Sequence, residues 1–310
     1  MRTALLLIGF QRVDYFEQTL KSLEANVAAH ECDLHVYLDG GPKARQSELI
    51  SIVEASSFNN VTIVRRETNW GIGRHLIDAR RTLFDKHGYD RVFLFEDDMF
   101  LAPTYVETLQ HLLDWSEQYT DVGCVTGFHI NHDSHAVQLE QQHHVIATNR
   151  HFWGYGMRRE VWEDVRDIIY EFEQKYLMKT TYAKRKHRSI RWFFIRKYMK
   201  QPRIAREGVF CIPQSHQVPP FAKNYSKAPT SQDAITALAL WVKGYHRLTL
   251  RVSRAKYVGE EGFSFNPMYF EQMGFNKQNT LDFNQFSSVS QFKLALYDEH
   301  NNPLMPMAYQ

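Results

Sequence analysis

Residues 1–130 predict an open, mostly parallel α/β sheet with helices on both faces, and three observations carry that expectation. Five short apolar runs are continuous rather than alternating, as in strands covered on both sides. Stretches of helical period separate them, and such strand–helix alternation builds parallel sheets. Polar residues follow each run at the edge where such sheets hold ligands.

The first strand, 5–10, leads into Gln11 and Arg12, and Tyr15, Thr19, Leu20, Leu23 and Val27 then recur at helical spacing. The second, 34–38, ends at Asp39-Gly40-Gly41 and precedes a helix marked by Leu49, Ile50 and Val53. The third, 61–64, is followed by Asn69-Trp70-Gly71 and a helix through Ile72, Leu76, Ala79, Leu83 and Phe84. The fourth, 92–95, stops at Glu96-Asp97-Asp98; Pro103 then suits a helix start ahead of Val106, Leu109, Leu112 and Leu113. The fifth spans 122–126.

Beyond residue 130 the pattern is less regular. The stretch 129–144 holds five histidines; without an H-x-x-x-H pair or a cysteine partner it reads as a solvated loop rather than a metal cluster. Residues 152–162 combine a glycine turn carrying aromatics, Phe152-Trp153-Gly154-Tyr155-Gly156, with a helix start. Residues 184–206 contain ten Lys or Arg interleaved with aromatics, and 214–230, with three prolines, reads as an ordered loop or lid. A helix is expected over 231–245, capped by Ser231 and stopped by Gly244. The expected organisation is 1–130 as one half, 131–275 as a second half with a basic insertion at 170–230, and 276–310 as a polar tail.

At 310 residues, with 44% hydrophobic and 23% charged residues, the chain can bury a large core. A formal charge of +2 gives no chain-wide pull toward nucleic acid, so no nucleic-acid partner is expected. The three cysteines, Cys32, Cys124 and Cys211, are far apart, which suggests neither zinc nor a disulfide framework and fits a reduced, cytoplasmic compartment. The apolar start reads as a buried strand rather than a signal peptide, and no run approaches the length of a membrane span.

Adjacent carboxylates at a strand end persist in water, beside a basic partner, or around a hard cation. Glu96-Asp97-Asp98 is therefore a solvated turn or a site for Mg²⁺ or Mn²⁺, which takes one or two protein carboxylates and fills its shell with water and phosphates. Asp39 can accept from a ribose hydroxyl or a uracil imide, or simply close a D-G-G turn. Asn69-Trp70-Gly71-Ile72-Gly73 lacks both the G-x-G-x-x-G and the P-loop spacings, which disfavours nicotinamide binding and P-loop phosphoryl transfer. Asp233, in the first turn of its helix, can favour the helix dipole or take a proton from a hydroxyl.

Taken in order, these islands resemble GT-A nucleotide-sugar glycosyltransferases, most of all glycosyltransferase family 13, the N-acetylglucosaminyltransferase I group. The likeness rests on Glu96-Asp97-Asp98-Met99 with Ala102-Pro103, on Arg74-His75 upstream, and on Val252-Ser253-Arg254 followed by Gly259, Gly262 and Ser264. The resemblance implies an inverting, metal-dependent transfer of a sugar, GlcNAc or a related hexose, from a UDP-sugar to a hydroxyl of a glycan or lipid-linked acceptor. It implies Asp98 as ligand to Mn²⁺ or Mg²⁺, and Glu96 and Asp97 toward the donor sugar and ribose. Arg12, Asp39 and His75 would hold the uridine end, Trp153 and Gly154 would complete the donor site, and Asp233 would be the general base. On this reading 1–130 is the nucleotide-sugar half and 131–275 the acceptor half. The chain departs from the family in its longer basic insertion and in Gln232, where the family has a second Asp. The other readings are a non-catalytic nucleotide- or glycan-binding module, and a sugar nucleotidyltransferase, which the residues after the first strand disfavour.

The basic stretch reads first as a helix packing Trp192, Ile195 and Tyr198 inward. Its second reading, over 184–200, lies on an anionic membrane surface beside a lipid-linked acceptor, so the expected location is cytoplasmic, at the inner face of the membrane.

Overall fold

The computed structural model describes residues 1–148, 152–178, 187–199, 206, 231–262 and 266–295. The first four apolar runs form β1 (Thr3–Gly9), β2 (Asp33–Leu38), β3 (Val61–Arg65) and β4 (Arg91–Phe95), joined by α1 (Val13–Glu24), α2 (Gln46–Glu54) and α3 (Gly71–Arg81). They lie parallel in the order β3-β2-β1-β4. The chain leaves β1 toward β2 and β3, then returns to β4 on the other flank. Connections therefore diverge at the carboxyl ends of β1 and β4, where such sheets hold ligands.

The two-residue period of each strand splits its apolar run between two cores. Leu5, Leu7, Leu34, Val36, Phe93 and Phe95 join one core with Phe16 and Leu20 of α1 and Leu49 of α2. Ala4, Leu6, Ile8, Tyr37, Val92 and Leu94 join the other with Leu76 and Ala79 of α3. Both faces are covered, which is why the runs do not alternate. Each fully buried Leu or Phe contributes about 1.5–3 kcal/mol, so β1 and β4 are the rigid spine from which Arg12 and the acidic trio emerge.

The chain continues through β5 (Met99–Leu101), α4 (Tyr105–Ser116), β6 (Val122–Thr126), α5 (His135–Glu140), β7 (His144–Ala147), β8 (Tyr155–Arg158) and α6 (Arg159–Phe172). After α7 (His187–Phe194) come α8 (Gln232–Val242), β9 (His246–Leu250), β10 (Ala255–Tyr257), α9 (Pro267–Gln272) and β11 (Lys293–Leu294). Among the described residues the main sheet has nine strands in the order β11-β7-β9-β6-β8-β4-β1-β2-β3, with β5 and β10 forming a separate antiparallel ribbon. The expected open, mostly parallel sheet is present, and strands from both expected halves share it.

The fifth apolar run forms β6, and antiparallel β8 stands between β4 and β6. Gly156 allows the fit: a Cβ there would lie 2.9 Å from the Phe93 ring. The stretch 129–144 is not simply a loop. It contains α5, capped by Ser134, and leads into β7, whose Val145 and Ile146 are fully buried. Within the polar tail, β11 extends the sheet edge and Leu281 and Phe286 pack on Ala102 and Val252. The helix expected at 231–245 forms as α8, with the Ser231 hydroxyl accepting from the Ala234 N–H at 3.1 Å and Gly244 at φ 79°. Among the described residues, no helix is long and apolar enough to cross a membrane.

Candidate active site

The acidic trio sits between the end of β4 and the start of β5, facing the entry to α1. Arg12 bridges two of its members. Its Nε donates to Asp97 Oδ2 at 3.3 Å, and its Nη2 contacts Asp97 Oδ1 and donates to Asp98 Oδ2 at 2.8 Å. Both aspartates are buried, at 6% and 2% exposure. Burial works against the Arg12 charge, but Asp97 and Asp98 outweigh it and hold the guanidinium above its ordinary pKa.

Asp98 has a second neighbour in Tyr257, which the β5–β10 ribbon pairs with Met99 and whose hydroxyl donates to the Asp98 carboxylate. Gly259 leaves room for this contact: a Cβ there would lie 2.7 Å from Asp98 Oδ2 and 2.6 Å from the Tyr257 hydroxyl. Asp98 Oδ1, by contrast, is buried and has no hydrogen-bond partner among the described residues. An orphaned buried carboxylate oxygen carries a desolvation penalty of about 1–3 kcal/mol or more. Burial raises the Asp98 pKa against the opposing pull of Arg12 and Tyr257, and pushes Asp97 up to about 6 against Arg12.

Glu96 is half-buried and stands well above the ordinary carboxylate range, through burial first and then the charges of Asp98, Asp233 and Asp97. The fold thus brings Asp233 from α8 into the same electrostatic neighbourhood as Asp98. Around Asp233 stand Arg80 of α3 and Arg247 of β9, which pull against burial and leave its carboxyl at about 6. Gln232 donates its side-chain amide to Asp233 Oδ1.

A second group forms at the end of β2. Asp39 accepts from the backbone N–H groups of Gly40, Trp70 and Gly71 at 2.9, 2.8 and 2.9 Å, tying the β2 end to the first turn of α3. Most of its acceptor capacity is thereby spent on the turn. His75 lies 2% exposed, edge-on to Tyr37, and neither ring nitrogen makes a well-formed hydrogen bond among the described residues. Burial lowers its pKa, against the Tyr37 backbone and Asp39. No hydrogen bond or ion pair among the described residues joins Asp39 or His75 to the acidic trio.

Trp153 joins the trio through Tyr257, on which it stacks at 4.1 Å and 5°. Gly154 takes φ 56°, and its carbonyl accepts from the Tyr105 hydroxyl at 2.6 Å. A Cβ there would fall 2.5 Å from that hydroxyl, so the turn requires glycine on both counts.

Among the described residues, no three His, Cys, Asp or Glu side chains converge as a metal cage. A nucleotide-bound Mg²⁺ or Mn²⁺ needs no such cage, because one or two carboxylates suffice beside water and phosphate. Asp98, with one oxygen held and the other orphaned, fits that role.

Tyr257, Arg80 and Arg247 were not legible as site residues. Arg80 did leave a signal: it occupies the apolar stripe of α3 between Leu76 and Leu83, where a charged residue must find buried partners. The Pro-containing stretch 214–230, Cys211 and the basic residues Lys184, Arg185 and Lys186 lie outside the described residues.

No family model matches the chain. It is similar to a curated Arabidopsis thaliana enzyme, alpha-1,3-mannosyl-glycoprotein 2-beta-N-acetylglucosaminyltransferase, at 22% identity over 174 residues, covering 52% of this chain and 38% of that enzyme. The match therefore spans well under half of the relative's length. Among solved structures, the mannosyltransferase PcManGT from Pyrobaculum calidifontis, in complex with GDP-Man and Mn²⁺, has a TM-score of 0.41 at 16% identity, covering 78% of this chain and 69% of that one. S. aureus TarS 1-349 in complex with UDP has a TM-score of 0.38 at 15% identity, covering 54% and 49% respectively.

Proposed function

We propose that the protein is an inverting, divalent-metal-dependent glycosyltransferase of GT-A type, moving a hexose such as GlcNAc from a UDP-sugar to a hydroxyl of a glycan or lipid-linked acceptor. The observation that carries this reading is the meeting, around Glu96, of Asp98 with its orphaned buried oxygen and Asp233 with its raised carboxyl. Asp233 takes the proton from the acceptor hydroxyl as its oxygen bonds to the sugar's anomeric carbon, and the bond from that carbon to the diphosphate breaks with its electron pair leaving on oxygen. Asp98 would hold the divalent ion, which when bound neutralises charge on the departing diphosphate. Arg12 holds the trio in place by compensating Asp97 and Asp98. Asp39 and His75 support the uridine end, and Trp153 on Tyr257 walls the donor side.

Incubation with a panel of UDP-sugars and one GDP-sugar tests this reading. One UDP-sugar should be hydrolysed slowly with Mn²⁺ present and not after chelation. No turnover and no nucleotide binding across the panel would return the fold to a binding module for some other ligand.

A membrane-borne acceptor is supported by α7 and the turn that follows it, 195–199. Ile190, Phe194 and Tyr198 face the core, while Trp192 is 56% exposed rather than packed inward, and Arg188 and Arg196 are exposed one turn to either side of it. An exposed indole between two guanidinium groups suits the headgroup region of an anionic bilayer. Sedimentation with phosphatidylglycerol vesicles should recover the protein at low salt, and Trp192→Ala should reduce the bound fraction several-fold. Equal recovery with phosphatidylcholine vesicles, or none with either lipid, would remove the membrane from the account.

A further inference from the structure

We propose that Gln232 is a positioning residue that fixes the direction of the Asp233 carboxylate, an inference that rests on the assignment of Asp233 as the base. Arg80, 1% exposed, directs its donors at the Leu76 carbonyl (3.4 Å), the Tyr155 hydroxyl (3.1 Å), the Thr236 hydroxyl (3.2 Å) and Gln232 Oε1 (3.1 Å). A guanidinium has donors and no acceptor. The Gln232 amide must therefore present its oxygen to Arg80, which leaves its NH₂ to face the other way, onto Asp233 Oδ1. The usual ambiguity between amide oxygen and nitrogen is settled by the chemistry of the partner. The backbone at Gln232 is held as well, its carbonyl accepting from the Thr236 hydroxyl at 2.8 Å.

With Oδ1 occupied, Oδ2 is the Asp233 oxygen left to meet an acceptor hydroxyl; among the described residues it accepts no hydrogen bond. Glutamine is the side chain that can do this without adding charge. A glutamate would pair with Arg80 equally well but would set a second carboxylate beside Asp233, which already faces Arg80, Arg247, Tyr155 and Glu96. A like charge at that distance disfavours ionisation of the base. A leucine would leave Arg80 a partner short and release Oδ1.

The test compares Gln232→Glu and Gln232→Leu by the pH profile of kcat/KM and by carboxyl-carbon NMR titration of Asp233, assigned with Asp233→Asn. Gln232→Glu should still fold, because Arg80 keeps an acceptor, while the Asp233 midpoint and the acid limb of the profile both move up by about one pH unit or more. Gln232→Leu, where it folds, should lower kcat about tenfold with KM little changed. An unmoved Asp233 titration in Gln232→Glu, together with wild-type kcat, would overturn the positioning role. Full activity in Asp233→Asn would instead overturn the base assignment, and the NMR midpoint would still report whether the two side chains are coupled.

Discussion

Asp233→Asn removes sugar transfer, lowering turnover by about 10²- to 10⁴-fold, and leaves nucleotide binding and the fold in place. The exchange keeps the side chain's shape, and the asparagine oxygen still accepts from Gln232. Only the capacity to take a proton is lost. In the wild type, burial outweighs Arg80 and Arg247 and sets the carboxyl at about 6. Because the base must be ionised, kcat/KM should fall as pH drops through about 6. The same shift has a sign for stability. The folded state holds this proton more tightly than the unfolded chain, so the group's contribution is fully present below the ordinary aspartate range and is lost as pH rises through about 6. At pH 7 the ionised, half-buried carboxylate weakens the fold, and Asp233→Asn should melt no lower than wild type. Turnover with the correct acceptor, UDP affinity by calorimetry and a thermal melt at pH 7 together check this. Wild-type turnover would end the base assignment, and a lower melting temperature would end the burial account.

The parts of the fold that were legible are those where one short-range rule decides the outcome. Leu5 to Phe10 and Val92 to Phe95 are short continuous apolar runs between helical periods, the pattern expected of parallel strands covered on both faces. The acids after β4 were then placed at a ligand-binding edge by topology alone. What stayed hidden depends on pairing at a distance. Tyr155 to Arg158 is four residues long and reads as part of a glycine turn; only the room that Gly156 leaves for Phe93 reveals it as the strand separating β4 from β6. Likewise Tyr257 reaches Asp98 because the ribbon registers it against Met99, a contact that no spacing within residues 93–103 encodes. Trp192 went the other way. Helical period fixed which residues share a face across α7 and the turn that follows it, but Phe194 and Tyr198 took the inward side and left the indole out.

Asp98→Ala removes the metal-dependent part of nucleotide binding. In the wild type, UDP affinity should rise on adding Mn²⁺; in the variant it should be the same with and without the ion, a loss of about 100-fold or more under saturating metal. The reason lies in the unequal treatment of the two Asp98 oxygens. Oδ2 is held by Arg12 at 2.8 Å, whereas Oδ1 is buried with no partner among the described residues. A carboxylate oxygen kept dry and unpaired is a standing cost to the fold, and a hard cation with oxygen preference is the ligand that offsets it most directly. The substitution spares the rest of the cluster, because Arg12 remains paired with Asp97 through both Nε and Nη2. Asp98→Asn keeps the volume as well, so a loss of metal response in both variants, with melting temperatures near the wild type, separates lost coordination from lost structure. Wild-type UDP affinity indifferent to Mn²⁺, or a metal response that survives in Asp98→Ala, would take the ion away from Asp98.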